Sequence, residues 1–485
     1  MFSGRERELE QMEKYYREDD FHFAVFYGRR RVGKTTLINK FKENKKAISF
    51  TAAETTPKEN LELLSIQIHS VLSSEAPISY FSSFNDAFEY CFKAAMKKRL
   101  IFVIDEYPYL AESDRAVSSL LQTLIDKYHK NSRLFLILCG SSMSFIENQV
   151  LGYKSPLYGR RSSQFKVEPF RYHECAQMLT GFNDNDKITL YGICGGIPEY
   201  ISRINNSLSV QQNTLNLFFN PSGRLFEEPS NLLKQELKAP QTYNAIIGAI
   251  ASGAAKMNEI ASAAGIETSQ CSNMLSTLIT LGIVRKENPA GEYKSGKQVS
   301  AKPSRKTIYL LSDFMFRFWY RFVRPNLSRI SMGYGDTVCA EIFNKLNGAI
   351  ETYIGPVFEE CAIQFLWKEN GGNRSILGKT NFMTIGKWWG SNVKEKKEEE
   401  IDIIAIDQNE NSNSVCALFG ECKWRNTRTG SEVFEDLVRK SELLPGFSKK
   451  RYAIFSKSSF SAQLVKDAEQ RKDLLLINPA QMYGK

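Results

Sequence analysis

The stretch Gly28-Arg-Arg-Arg-Val-Gly-Lys-Thr35 constrains this chain most, because it fills every position of the pattern G-x-x-x-x-G-K-[ST]. The mostly apolar run 21–26 before it suits a buried strand, and residues 36–41 after it read as the first turns of a helix. Gly28 and Gly33 let the backbone curl so that successive N–H groups face a phosphate, and the helix N-terminus adds its positive end. Lys34 is placed to reach the β- and γ-phosphates, and Thr35 to offer its hydroxyl to Mg²⁺. Val32 and Thr36 complete the loop around the nucleotide. A strand, tight loop and helix in this order belong to an α/β fold with a parallel sheet.

Two further apolar runs fit that sheet. Leu100-Ile-Phe-Val-Ile-Asp-Glu106 ends in two carboxylates, and ligands of open α/β sheets lie beyond the carboxyl ends of such strands. Asp105 is then the candidate water-bridged Mg²⁺ ligand and Glu106 the base that polarises the attacking water, the bland alternative being a capped strand end. Leu134–Cys139 is followed by Gly140-Ser141-Ser142, whose hydroxyl at Ser141 suits a γ-phosphate or water contact, or ordinary turn chemistry. Arg160 and Arg161 offer an arginine finger, in this chain or a neighbour's, or an exposed ion pair.

At 485 residues the chain has room for three or four domains of roughly 100–200 residues each. No apolar stretch approaches the roughly 20 residues of a membrane span, and the charged beginning has no signal-peptide core, so cytoplasmic residence is expected. The nine cysteines are scattered without a C-x-x-C pair and only four histidines accompany them, which points to reduced thiols rather than zinc or disulfides. A net charge of +10 is compatible with a nucleic-acid partner, although many enzymes carry as much.

Phe2-Ser-Gly-Arg-Glu-Arg-Glu-Leu9, the multi-arginine loop, the Asp105-Glu106 pair, Val167–Glu174 and Gly195-Gly-Ile-Pro-Glu-Tyr200 together resemble the archaeal-type ATPases, which are AAA-related, STAND-like P-loop proteins. The resemblance covers about the first 235 residues. It implies that Gly4 and Arg5 lie near the adenine of ATP and that Gly195 to Pro198 belong to a helical lid.

Helical runs at 242–252, 256–264 and 268–281, then a strand entered at Leu281–Arg285 and another at Lys306–Leu311, give the pattern of a winged helix-turn-helix. The wing segment carries seven Lys or Arg (285, 286, 294, 297, 302, 305 and 306), while the recognition helix has none and offers only Gln270 and Asn273 to a base. Phosphate contact through the wing and a packing module that couples domains are both open. The aromatic stretch Leu311–Phe322, with Arg317 and Arg321, reads as core rather than as a base-stacking surface, and 325–336 reads as a linker.

Beyond it, Tyr353–Leu366 has the period of an amphipathic helix with Glu359 near its start and Glu360 next to it. Lys394–Glu400 reads as a solvated charged loop. Glu400–Ile406 and Val415–Trp424 read as paired strands across a turn-rich segment, carrying Asp402 on one and Glu421 and Lys423 on one face of the other. Converging carboxylates suit Mg²⁺ or Mn²⁺. The set resembles the PD-(D/E)xK restriction-endonuclease-like fold, and the resemblance implies Asp402 as central acid, Glu421-Cys-Lys423 as the D/E-x-K element and Glu359 or Glu360 as the helix acid; Ile401 stands where that motif has proline.

The expectation is an α/β multidomain protein: a P-loop parallel-sheet ATPase core (1–170), a helical lid (171–235), a winged helix-turn-helix (236–325) and a nuclease-like domain (337–485). It would bind ATP and Mg²⁺ and act on nucleic acid, DNA first, and a homo-oligomer would let Arg160 act in trans. The alternative is an ATP-gated regulatory switch whose C-terminal domain binds a partner without cutting.

Overall fold

In the computed structural model the chain is described over residues 3–72, 80–290, 293–294, 297–298, 306–345, 348–372, 375–378, 380–408 and 415–485. It divides into two compact units, 1–170 with 197–199, and 171–196 with 200–485.

The first unit is built on five parallel strands, β1 (His22–Tyr27), β2 (Ala47–Thr51), β3 (Leu100–Asp105), β4 (Leu134–Gly140) and β5 (Ser163–Lys166), in the order β2-β3-β4-β1-β5. β1, β3 and β4 are buried along their whole length, as continuous apolar strands covered by helices on both faces must be. Phe23, Val25, Phe102, Ile104, Leu136 and Leu138 form one core with the helices Phe84–Lys97 and Val117–Tyr128. Register sets Tyr27 beside Gly140 and Ile104 beside Leu138. The carboxyl ends of β1, β4 and β3 therefore stand side by side.

In the second unit, helices Pro240–Ala251, Met257–Ala264 and Thr268–Thr280 pack on Ile246, Ile260, Cys271 and Leu275. The antiparallel strands β6 (Val284–Glu287) and β9 (Ile308–Leu311) follow, with the short pair β7 (Tyr293–Lys294) and β8 (Lys297–Gln298) between them. Of the basic residues expected in a wing, Lys302 and Arg305 lie outside the described residues. Gln270 and Asn273 are exposed on their helix. The aromatic stretch is core: Phe314, Phe316, Phe318, Trp319 and Phe322 are buried, and the Trp319 indole N–H donates to the Phe226 carbonyl at 2.6 Å.

The segment 325–336 is not a linker. Its chain stays helical from Leu327 to Arg329 and again from Gly335 to Ala340. Ile330 is buried, and Gly335 lies so close to the Phe219 carbonyl that a Cβ there would overlap it. Turn-forming composition is overridden here by packing.

The last sheet has the order β10 (Phe382–Asn392), β11 (Lys397–Gln408), β12 (Val415–Lys423), β13 (Lys449–Ser456) and β14 (Leu474–Ile477). The first two pairings are antiparallel and the last two parallel. The helix Ala349–Glu369 starts well before Tyr353, so Glu359 lies at its middle rather than near its start. The charged run is a solvated loop only in its first half, where 394–396 form an exposed turn. Lys397–Glu400 opens β11, and Glu399 is buried against Arg439 at 2.8 Å; burial and that guanidinium's hydrogen bonds reconcile a charge-rich run with a strand. Residues 409–414 of the expected turn lie outside the described residues. No helix is long and apolar enough to cross a membrane among the described residues.

Candidate functional site

The loop after β1 turns at Gly28 (φ 149°) and Gly33 (φ 90°), and Lys34 begins the helix Lys34–Lys42. A Cβ on Gly28 would stand 2.4 Å from the Val167 carbonyl oxygen, so glycine is required there for close backbone approach. Val32 is fully buried and anchors the loop, while Thr35 and Thr36 are exposed at its rim. The Lys34 ammonium is buried and donates to the carbonyls of Gly28 at 2.8 Å and Arg29 at 2.9 Å. Thr35 donates its hydroxyl to Asp105 Oδ2 at 2.8 Å. This brings the loop hydroxyl and the β3 carboxylate, two residues 70 positions apart, to one point.

Glu106 follows in the left-handed region (φ 49°, ψ 43°), rare for a side chain of its kind. Its carboxylate accepts from the Ser141 hydroxyl at 3.0 and 3.2 Å and from the Ser141 N–H at 3.4 Å. The adjacency of β3 and β4 thus joins the Glu106 and Ser141 candidates directly. Gly4 (φ 70°) packs on Phe170, and the Arg5 guanidinium lies 4.6 Å from that ring's centre while donating to the Val32 and Glu168 carbonyls. Pro198 opens the short helix Pro198–Ile201, and residues 197–199 count with the first unit. Arg160 is held by Asp126 in a paired contact, Nε to Oδ1 at 2.8 Å and Nη2 to Oδ2 at 2.7 Å.

The loop fits a nucleoside triphosphate with Mg²⁺. An added Cβ at Gly33 meets nothing within 4 Å, which leaves open space over the loop, and Thr35 and Asp105 supply hard oxygen donors beside it.

In the second unit the β11–β12 register runs from Ile403 opposite Gly420 to Gln408 opposite Val415. Asp402 and Glu421 are the next residues beyond the Ile403–Gly420 end. Asp402 Oδ2 accepts the Cys422 N–H at 2.8 Å, and the Glu421 carboxylate meets Lys423 at 2.6 Å and Lys440 at 3.6 Å. Burial, then the neighbouring Glu359 and Glu421 carboxylates, push Asp402 up to about 8. Of the two candidate helix acids, Glu359 faces this cluster and is paired with Lys387. Glu360 is taken by Arg285 at 2.7 Å. Burial pulls Lys387 down, but Glu359 beside it outweighs this and holds the ammonium above its ordinary value.

Lys387 and Lys440 were missed from sequence. Lys387 lies where the β10–β11 register shifts, between Gly386 and Trp388, so regular alternation could not orient it. Lys440 comes from the helix Ser431–Ser441, and only its spacing from Asp436 hinted at a partner. Among the described residues no three Asp, Glu, His or Cys are grouped closely enough to hold a metal ion. The donors are of the type a hard cation takes, but lysines share their charge.

Comparison with known proteins adds the following. Residues 2–204 match the model of an ATPase domain predominantly from Archaea, and residues 319–449 match one described as archaeal and bacterial proteins of unknown function. MJECL04 of Methanocaldococcus jannaschii is 31% identical over 467 residues, which span 94% of this chain and 96% of that protein. The ATP-binding protein MJ0423 of the same organism is 54% identical over 46 residues, 10% of this chain and 78% of that one. Among solved structures, the Walker-type ATPase paby2304 of Pyrococcus abyssi is similar with a TM-score of 0.49 and 19% identity, covering 66% of this chain and 96% of that one.

Proposed function

The chain belongs to the family of MJECL04 and carries an ATP-binding ATPase domain; from that premise we propose a nucleotide-driven protein whose C-terminal domain processes nucleic acid. It has four parts, at 1–170, 171–235, 236–325 and 337–485: ATPase core, lid, winged helix and PD-(D/E)xK-like domain. In the core, Lys34 neutralises the outer phosphates, the loop N–H groups hold them, and Thr35 and Asp105 would hold Mg²⁺. Glu106 takes the proton of the attacking water, and Ser141 fixes the carboxylate's direction. Arg5 and Gly4 shape the adenine side, and Pro198 belongs to the lid over it. Bound Mg²⁺ supplies charge neutralisation on the phosphates.

At the second site Asp402, Glu421 and Glu359 are the carboxylates that would have to draw together, away from their lysine partners, to take Mg²⁺ or Mn²⁺, which would lower the pKa of a bound water. Lys423 holds the water or the phosphodiester oxygen. The observation that carries this reading is the meeting of Asp402 with the Glu421-Cys-Lys423 strand through the Cys422 N–H. The partner is nucleic acid, DNA first. Assembly into a homo-oligomer would give Arg160 its role in trans, once released from Asp126.

One observation favours the regulatory-switch reading: Lys387, Lys423 and Lys440 already neutralise Glu359 and Glu421. The test is cleavage of labelled single-stranded, duplex and branched DNA and of RNA, with Mg²⁺ or Mn²⁺, with and without ATP, beside Asp402→Ala and Glu421→Ala. Metal-dependent cutting lost in both variants is the expected result. Intact ATP turnover with no cutting on any substrate would leave the switch.

A further inference from the structure

Within the second unit a cavity of about 440 Å³ opens between the three-helix module and the last sheet, with Asp402 and Lys387 on one wall. That volume is in the range of small-ligand sites, roughly 300–1,000 Å³. Three cations line it: Arg285, Arg317 and Lys387. Arg285 is committed to Glu360 and Glu287, and Lys387 to Glu359. Arg317 differs. Its guanidinium lies 4.9 Å from the centre of the Tyr353 ring, and among the described residues it has no carboxylate partner. A half-buried guanidinium without a counter-ion is a place for an anion.

The rest of the lining is mostly apolar. Phe314 lies one helical turn before Arg317, and Ile308 and Leu310 add aliphatic surface. The half-buried Trp389 indole is fixed in place by its N–H bond to the Lys306 carbonyl at 3.2 Å. Glu400 offers an acceptor at the edge. An anion receptor beside an aromatic slot with a hydrogen-bond acceptor matches a phosphate joined to a planar, amine-bearing ring.

We infer that this cavity takes a nucleoside phosphate, its phosphate on Arg317 and its base against Trp389 and Phe314. The inference deepens the reading of the C-terminal site and rests on it for the ligand's purpose, since the cavity reaches Asp402. The same chemistry comes from a free mononucleotide or from the terminal nucleotide of a strand.

The test uses the full chain carrying Lys34→Ala, which removes the competing nucleotide loop, titrated calorimetrically in EDTA with AMP and separately with a 5′-phosphorylated tetranucleotide. One saturable equivalent of either is expected, and which of the two binds more tightly identifies the source. Adding Arg317→Met should weaken it about tenfold or more, as loss of a charged hydrogen bond does. Adding Ala251→Phe, which fills the cavity from its other wall, should do the same without touching a charge. Glu421→Ala lies outside the lining; it should abolish cleavage and leave AMP binding, so failure of the nuclease reading and failure of the cavity are told apart. No saturable binding of either probe, or binding that both added substitutions leave within about twofold, overturns the inference.

Discussion

Gly28 and Gly33 bracket one loop but make different demands on it. At Gly28 a methyl would collide with the Val167 carbonyl, whereas at Gly33 it meets open space and only the positive φ of 90° opposes it. Gly28→Ala should therefore cost about 1–3 kcal/mol or more through overpacking, and Gly33→Ala about 1–2 kcal/mol through backbone strain alone. Urea unfolding of both variants checks the order, and a costlier Gly33→Ala would contradict the geometry. Glu106 is the second residue-scale case. Its left-handed backbone aims the carboxylate at Ser141, so Glu106→Gln should lower kcat by about 10²–10⁴ with ATP binding retained. Ser141→Ala should lose less, because the backbone still sets the direction. Steady-state turnover with a nucleotide-binding assay separates the two. These residues were legible because loop and carboxylate pair are local patterns at strand ends. Lys387 was not, because a register shift decides where it points.

At the scale of elements, β11 and β12 hold an unusual proton. Asp402 is raised to about 8 by burial and by Glu359 and Glu421, against about 3.9 in an unfolded chain. Between those values the folded state carries a proton here that the unfolded state lacks, so this group's contribution to stability falls as pH rises from about 4 to about 8. One such group contributes a slope of at most about 1.4 kcal/mol per pH unit. Thermal unfolding in EDTA should show Asp402→Asn flattening that decline and raising Tm more at pH 8 than at pH 5. Equal gains at both pH values would place the proton elsewhere. The strands themselves were readable from alternation and the turn-rich gap. The helicity of 325–336 and the burial of Glu399 were not, since both depend on distant partners, the Phe219 carbonyl and Arg439.

For the whole molecule, connectivity offers a physical route by which the two units would be coupled. The chain passes between the two units three times, at 170/171, 196/197 and 199/200, and the last two crossings flank the Pro198 segment proposed as lid. Gly195, with φ 72°, stands just before them. A nucleotide that draws Pro198 toward the loop must pull on both flanking chains, and its differential affinity sets how far any equilibrium moves: a tenfold change needs about 1.4 kcal/mol. If the units are coupled, saturating ATP should change the cleavage rate of the wild-type chain and leave Lys34→Ala unchanged. The decisive comparison is the ATP response of each protein on one substrate, with cleavage normalised to its own rate without nucleotide. A Lys34→Ala protein that loses ATP binding yet cuts at the ATP-saturated wild-type rate would mean the loop only competes for an active state already reached. One that cuts as the wild type does with and without ATP would break the coupling and leave each site standing on its own residues.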